Sequence, residues 1–144
     1  MRQELRIALD NYTYGVRQLI PQYLTGKMKD LDALEDELAL ILRARDVIES
    51  NQQHLRAEES EAWRRVDEQD RLLLLARESL LVIAPWLVTF RKGKHIARTR
   101  WWYYLDLITR VQIEEFVLPA SDRADEVMAL PERITVRQFA LTKE

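Results

Sequence analysis

Between residues 91 and 104 the sequence places basic side chains directly before a run of aromatic ones. Five bases precede Trp101, Trp102, Tyr103 and Tyr104. Guanidinium and ammonium groups neutralise phosphates, and aromatic rings stack on nucleic-acid bases or lie at a lipid interface. Six residues are therefore candidates for contact with a nucleic acid or another anionic partner: Arg91, Lys92, Lys94, Arg98, Arg100 and Trp102.

A purely structural role is the interpretation that we prefer for the same segment. At helical spacing Trp101 and Tyr104 belong to an apolar core stripe, and the bases can face an acidic part of the same chain. Residues 30–70 carry five basic and thirteen acidic side chains, a net charge of -8, whereas residues 91–110 carry six basic and one acidic side chain, +5. Exposure of Arg100 and Trp102 in the folded protein distinguishes the two interpretations.

No other group of residues has the spacing of a catalytic or metal-binding site. The two histidines, His54 and His95, form neither the Glu-x-x-His pairs of di-iron bundles nor the His-x-x-x-His of zinc proteases. Each of the three glycines stands alone, so there is no phosphate-binding loop, and the lack of cysteine excludes disulfides and thiolate zinc sites. We predict no catalytic residue, cofactor or metal, and no enzymatic activity.

The segment follows a long stretch, Lys27–Ala84, that has 58 residues without glycine or proline. Helix-forming residues dominate it, and its apolar residues recur at steps of three and four, which is typical of a coiled coil or a helical bundle. The apolar seam consists of Leu31, Leu34, Leu38, Ile41, Ile48, Leu55, Ala62, Val66, Leu73, Ala76, Leu80 and Ile83. Its polar positions are Arg45, Gln52, Glu59 and Gln69.

A length argument favours a fold-back of this stretch. One straight helix would be ~87 Å long, but a compact chain of this size is only roughly 40 Å across. Between Glu49 and Glu61 the only large apolar residue is Leu55, and Ser50-Asn51 is prone to turns. We therefore predict an antiparallel helical hairpin within residues 29–84, with its tip near residues 50–58. The alternative is one continuous coiled-coil helix in a dimer.

Helix-breaking residues and hydrophobic periodicity predict the other elements. We predict a helix over 1–24 that Pro21 kinks or ends, a basic loop over 85–98, an aromatic helix over 99–117, and short elements over 121–144. Residues 101–113 also alternate with period two and are rich in β-forming side chains. An α+β fold with residues 100–114 and 133–141 as strands is therefore the alternative.

The sequence as a whole predicts a single all-α domain, residues 1–144, built as a helical bundle on the hairpin. We expect a non-enzymatic interaction or adaptor module that forms a homodimer and contacts other proteins. The alternatives are nucleic-acid binding through residues 91–104 and an enzyme whose site forms between subunits. Arg77, Glu78 and Pro85 interrupt the apolar run Leu72–Phe90, so we predict no membrane span. The charged N-terminus lacks a secretory signal, so we expect a cytoplasmic protein.

Overall fold

A computed structural model describes residues 3–24, 30–58, 60–117 and 133–141. These residues are mostly helical, which confirms the helical class that the sequence predicts. Backbone contacts divide the chain into two compact units, residues 1–70 (unit 1) and residues 71–144 (unit 2). The single domain expected for residues 1–144 stays a prediction.

Unit 1 begins with one helical run of changing pitch. Helix α1 (Gln3–Tyr14) passes into a π-helical segment, Gly15–Leu19, and then into helix α2 (Ile20–Leu24). Pro21 was expected to kink or end the helix near Ile20, but the helix continues through it. The π-helical turn accounts for this. The Ile20 N–H donates to the Gly15 carbonyl five residues back, so the backbone hydrogen bonds are already shifted just before Pro21, which has no N–H to donate.

Gly15, the first residue of the π-helical segment, lies close against Ile41 of the next helix. A Cβ atom at this position would lie 2.3 Å from Cγ1 of Ile41, which is far inside van der Waals contact. Only a glycine therefore lets the two helices lie this close. This contact fixes which part of α1 lies beside which part of its neighbour.

Helix α3 (Leu31–Ser50) starts two residues after residue 29, where the predicted hairpin begins. The Asp30 carboxylate accepts a hydrogen bond from the Asp32 N–H at 2.9 Å and caps the helix. The helix ends at Ser50, and Asn51 interrupts the chain before helix α4 (Gln52–Glu58). Helix α5 (Ser60–Ala76) follows.

The continuous rod is incompatible with the structure. Arg45 Nε donates to Asp70 Oδ1 at 2.9 Å, although a straight helix would separate these residues by ~37 Å. The chain must therefore reverse between α3 and α5. Most residues of the apolar seam are buried, as are two of its polar positions, Arg45 and Gln69.

In unit 2 the end of α5 leads into a 3₁₀ segment, Arg77–Ile83, and then into helix α6 (Ala84–Lys94). The predicted basic loop over 85–98 is therefore wrong for residues 85–94. Pro85 lies in the first turn of α6, where a missing N–H costs nothing. His95, with a φ of 53°, ends the helix in the left-handed conformation.

The aromatic segment is not the predicted helix over 99–117. It forms two short 3₁₀ turns, Trp101–Tyr103 and Leu105–Leu107, and then strand β1 (Ile108–Val117). Strand β1 pairs antiparallel with strand β2 (Arg133–Leu141), so that Ile108 faces Leu141 and Val117 faces Arg133. A strand over the whole segment would be longer than strands usually are, and this favours a helix over a strand. The turns shorten the strand to ten residues, and this removes that objection.

The strands lie close to the positions that the α+β alternative assigns to them, 100–114 and 133–141, and the other described residues are mostly helical. The short elements expected between residues 121 and 132 lie outside the described residues. One helical run, Glu61–Lys94, is long and apolar enough to cross a membrane by length and composition alone. This is weak evidence, because a core helix passes the same test, and the expectation of no membrane span stays a prediction.

Candidate functional site

An apolar groove lies between helices α1 and α3 of unit 1. Its volume is about 380 Å³. Three large side chains in its lining are half exposed: Ile7 at 50%, Tyr14 at 55% and Leu40 at 57%. The remaining lining residues are Glu4, Ala8, Asn11, Leu19, Glu37, Ile41, Arg43, Ala44 and Val47. A soluble chain rarely leaves large apolar side chains clustered in this way unless something covers them.

The groove arises because both helices carry more than one apolar stripe. The core stripe of α1 includes Leu5, Leu9 and Tyr12, all of which are buried. Ile7 and Tyr14 are seven residues apart and form a second stripe beside it. On α3, Leu40 and Val47 are offset in the same way from the buried stripe of Leu34, Leu38 and Ile41. The apolar seam predicted from the sequence includes only the core stripe, and for this reason the groove was not predicted.

A buried polar cluster lies in the core of the same unit. Asp70 accepts hydrogen bonds from the Tyr12 hydroxyl at 2.5 Å, from Arg45 Nε at 2.9 Å and from Arg45 Nη2 at 3.0 Å. Arg45 also donates to Glu49 at 3.0 Å and lies 6.0 Å from the centre of the Trp63 ring. Tyr12, Arg45 and Asp70 bond to one another, and the cluster joins α1, α3 and α5.

Burial governs the ionisation of this cluster. It raises the pKa of Asp70, and the Arg45 guanidinium and the hydrogen bonds only partly offset it. The pKa of Tyr12 lies well above its usual value, because the phenol is buried and faces the Asp70 carboxylate. Burial alone would lower the pKa of Arg45, but the attraction of Asp70 and its hydrogen bond raise it. The arginine therefore stays charged, and the tyrosine stays neutral, at ordinary pH.

The structure separates the six predicted contact residues into two groups. Trp102 is only 1% exposed, and Arg91 is also buried. Lys92, Lys94 and Arg98 are exposed, and Arg100 is half-buried. The indole of Trp102 is enclosed in unit 2, so it does not present a face on which a base could stack.

Arg91 is engaged inside unit 2. Its Nη1 and Nη2 atoms donate to the two carboxylate oxygens of Asp106 at 2.5 Å and 3.1 Å, and Nη1 also donates to the Tyr103 carbonyl at 3.3 Å. The guanidinium lies 4.8 Å from the centre of the Tyr104 ring. This arrangement is a fork of two charge-assisted hydrogen bonds, which binds the arginine to the protein itself.

Aromatic contacts complete the core around this pair. The Phe90 and Tyr103 rings stack with centres 5.6 Å apart, and the Trp101 and Trp102 rings meet edge to face at 5.7 Å. The Tyr104 hydroxyl donates to the Ile96 carbonyl at 2.5 Å. Three of the four consecutive aromatic residues, Trp102 to Tyr104, are therefore core residues.

Two features of the sequence could have identified the Arg91–Asp106 pair. Arg91 continues the stripe Leu80, Ile83 and Leu87 at the next step of four, which puts it on the buried face of α6. Asp106 is the single acidic residue between positions 91 and 110. A lone carboxylate among six bases and several aromatic rings is the natural partner for a base that is buried there.

Within the described residues, no group of three or more His, Asp or Glu side chains is arranged to hold a metal ion. Comparisons of this chain with models of protein families, with curated proteins and with solved structures find no match.

Proposed function

We propose that this protein is a non-enzymatic helical interaction module that self-associates as a homodimer in the cytoplasm. The observation that carries the proposal is the groove between α1 and α3, where Ile7, Tyr14 and Leu40 are half exposed side by side. Covering such a cluster removes apolar surface from water, at about 25 cal/mol for each Å². The groove therefore gives a partner helix a place to bind, as in other helix-in-groove interactions.

The scaffold we propose for this groove is an antiparallel helical hairpin within a bundle, with its tip near residues 50–58. The Arg45–Asp70 bond and the interruption at Asn51 support the reversal. Because the chain has no cysteine, two spin labels can be attached at introduced cysteines, Arg43→Cys and Glu68→Cys. A hairpin predicts a distance well below the ~37 Å that a straight helix would give between these positions.

The burial of Trp102 and the engagement of Arg91 make an interaction module a better explanation than nucleic-acid binding. Lys92, Lys94 and Arg98 stay on the surface and could still contact an anion. Three contacts of this kind on a single strand would give a slope of log affinity against log salt of about -2. Binding to single-stranded RNA or DNA at low salt with this slope would favour the alternative.

Sedimentation equilibrium at micromolar to millimolar concentration tests the main proposal. We expect a mass that approaches twice the 17.1 kDa of the chain as the concentration rises. A mass of 17.1 kDa throughout this range would show that the protein does not self-associate.

A further inference from the structure

We infer that the occupant of the α1–α3 groove is a second copy of the same chain, docked through helix α3 in an antiparallel, two-fold arrangement centred on Leu40. This inference rests on the self-association proposed above and specifies its surface and register. It starts from the outward stripe of α3, in which Ala33, Leu40 and Val47 are spaced by seven residues. A seven-residue apolar spacing is the spacing at which one helix packs along another.

Charge complementarity identifies a second copy as the partner. Asp36 and Arg43 are both exposed, and they lie four residues before and three residues after Leu40. At 100° per residue, both lie about 40–60° from Leu40 around the helix, on the same side of the stripe. An antiparallel two-fold axis at Leu40 brings Asp36 of one copy to the level of the partner's Arg43. The same axis forms this ion pair twice.

The charges also select the register. If the axis passed midway between Leu40 and Val47, Arg43 would meet the partner's Arg43, and this contact would be repulsive. With the axis at Leu40, the stripe is matched as well, because Val47 of one copy meets the partner's Ala33. Helix α1 lies beside α3 through the Gly15–Ile41 contact, so Tyr14 borders the same interface.

The apolar centre is tested by Leu40→Asp, with Leu31→Asp as the matched control. Both leucines are exposed on α3, but they lie about 180° apart around the helix. We expect Leu40→Asp to raise the dimer dissociation constant on the order of 100-fold, as for a residue at the centre of an interface, and Leu31→Asp to leave it nearly unchanged. Circular dichroism of both variants checks that the fold is kept, as expected for exposed positions.

The register is tested by exchanging the charges. Asp36→Arg alone gives two arginine–arginine contacts, and Arg43→Asp alone gives two aspartate–aspartate contacts, so each variant should dimerise on the order of 10-fold more weakly than the wild type. An equimolar mixture of the two variants restores both opposite-charge contacts. We therefore expect the mixture to form a heterodimer, detected by native mass spectrometry, with close to wild-type affinity. The double variant Asp36→Arg/Arg43→Asp should form a homodimer again.

The outcomes separate this inference from the proposal beneath it. A monomeric wild type would overturn both. A dimeric wild type whose affinity is unaffected by Leu40→Asp would retain self-association but exclude this surface. Loss of dimer in Leu40→Asp without heterodimer formation in the mixture would retain the surface but exclude the Leu40-centred register. Recovery in the mixture supports the inference, because a defect of folding in either variant could not be repaired by the other.

Discussion

Each unit buries an arginine against an aspartate, but the two pairs differ in depth and in surroundings. In unit 2 the side chains of Arg91 and Asp106 are 2% and 7% exposed. In unit 1 those of Arg45 and Asp70 are 4% and 14% exposed, and Arg45 also bonds to Glu49, whose side chain is 30% exposed. The unit 2 pair is thus the deeper one, whereas the unit 1 pair belongs to a network that reaches toward water.

The difference matters because the free energy of burying a charge depends on the opposite charge beside it. Removing one member of a deep pair leaves a charge in a low-dielectric surrounding, while a charge in a network keeps other groups that compensate for it. We therefore expect unequal costs when the same substitution is made in the two units. The Arg91–Asp106 pair fixes local packing in unit 2, whereas the cluster around Asp70 in unit 1 links three helices, α1, α3 and α5.

The largest effect is expected for Asp106→Asn. It leaves the buried Arg91 guanidinium facing a neutral amide, and it should lower the free energy of unfolding by about 3–5 kcal/mol, measured by urea denaturation. Glu78→Gln, on the exposed surface of the same unit, is the control and should cost less than about 0.5 kcal/mol. The double variant Arg91→Met/Asp106→Leu should recover much of the loss, because it removes both charges. A cost below 1 kcal/mol for Asp106→Asn would contradict the role assigned to the pair.

Asp70→Asn should have a smaller effect, about 2–3 kcal/mol, because the Glu49 carboxylate stays beside Arg45. The same urea experiment measures it. Combining Asp70→Asn with Glu49→Gln should cost more than the sum of the single variants, since the second change removes the remaining counter-charge. Strict additivity would show that Glu49 does not compensate.

The smallest effect is expected for Tyr12→Phe, about 1–2 kcal/mol near neutral pH, through loss of the hydrogen bond to Asp70. This contribution has a characteristic pH dependence. The pKa of Tyr12 is raised in the folded protein, so its stabilisation is fully present below pH 10, the unfolded value, and decreases as the pH rises above it. Wild type and Tyr12→Phe should therefore converge in stability above pH 10. A constant difference up to pH 11 would show that Tyr12 ionises normally.

The sequence pattern predicts the unit 1 pair better than the unit 2 pair. It includes Arg45 as a polar position of the seam, because the apolar residues on either side define that face of the helix. It could not identify Asp70 as the partner, because only the reversal of the chain brings α5 against α3. In unit 2 the predicted hairpin ends at residue 84 and Arg91 falls in the predicted basic loop, so the continuation of the stripe through Leu87 was not recognised.

The aromatic residues show a second limit of sequence reasoning. A run such as Trp101–Tyr104 has the same composition whether it binds a ligand or fills a core, and only tertiary packing decides between them. The run forms a 3₁₀ turn, which has neither the 3.6-residue period of an α-helix nor the two-residue period of a strand. Hydrophobic periodicity therefore could not predict it. The apolar groove was missed for a related reason, since its residues lie between the core stripe and the polar face.

The 3₁₀ segment Arg77–Ile83 changes the direction in which the side chains of α6 point. A 3₁₀ helix turns by about 120° per residue instead of 100° and rises about 2.0 Å instead of 1.5 Å. Over seven residues this places α6 about 140° out of phase with an uninterrupted α-helix and about 3.5 Å further along. The side chains of Leu87 and Arg91 are therefore turned, relative to those of α5, by an angle that an uninterrupted α-helix would not give. Deleting one residue here would rotate these side chains by about a third of a turn.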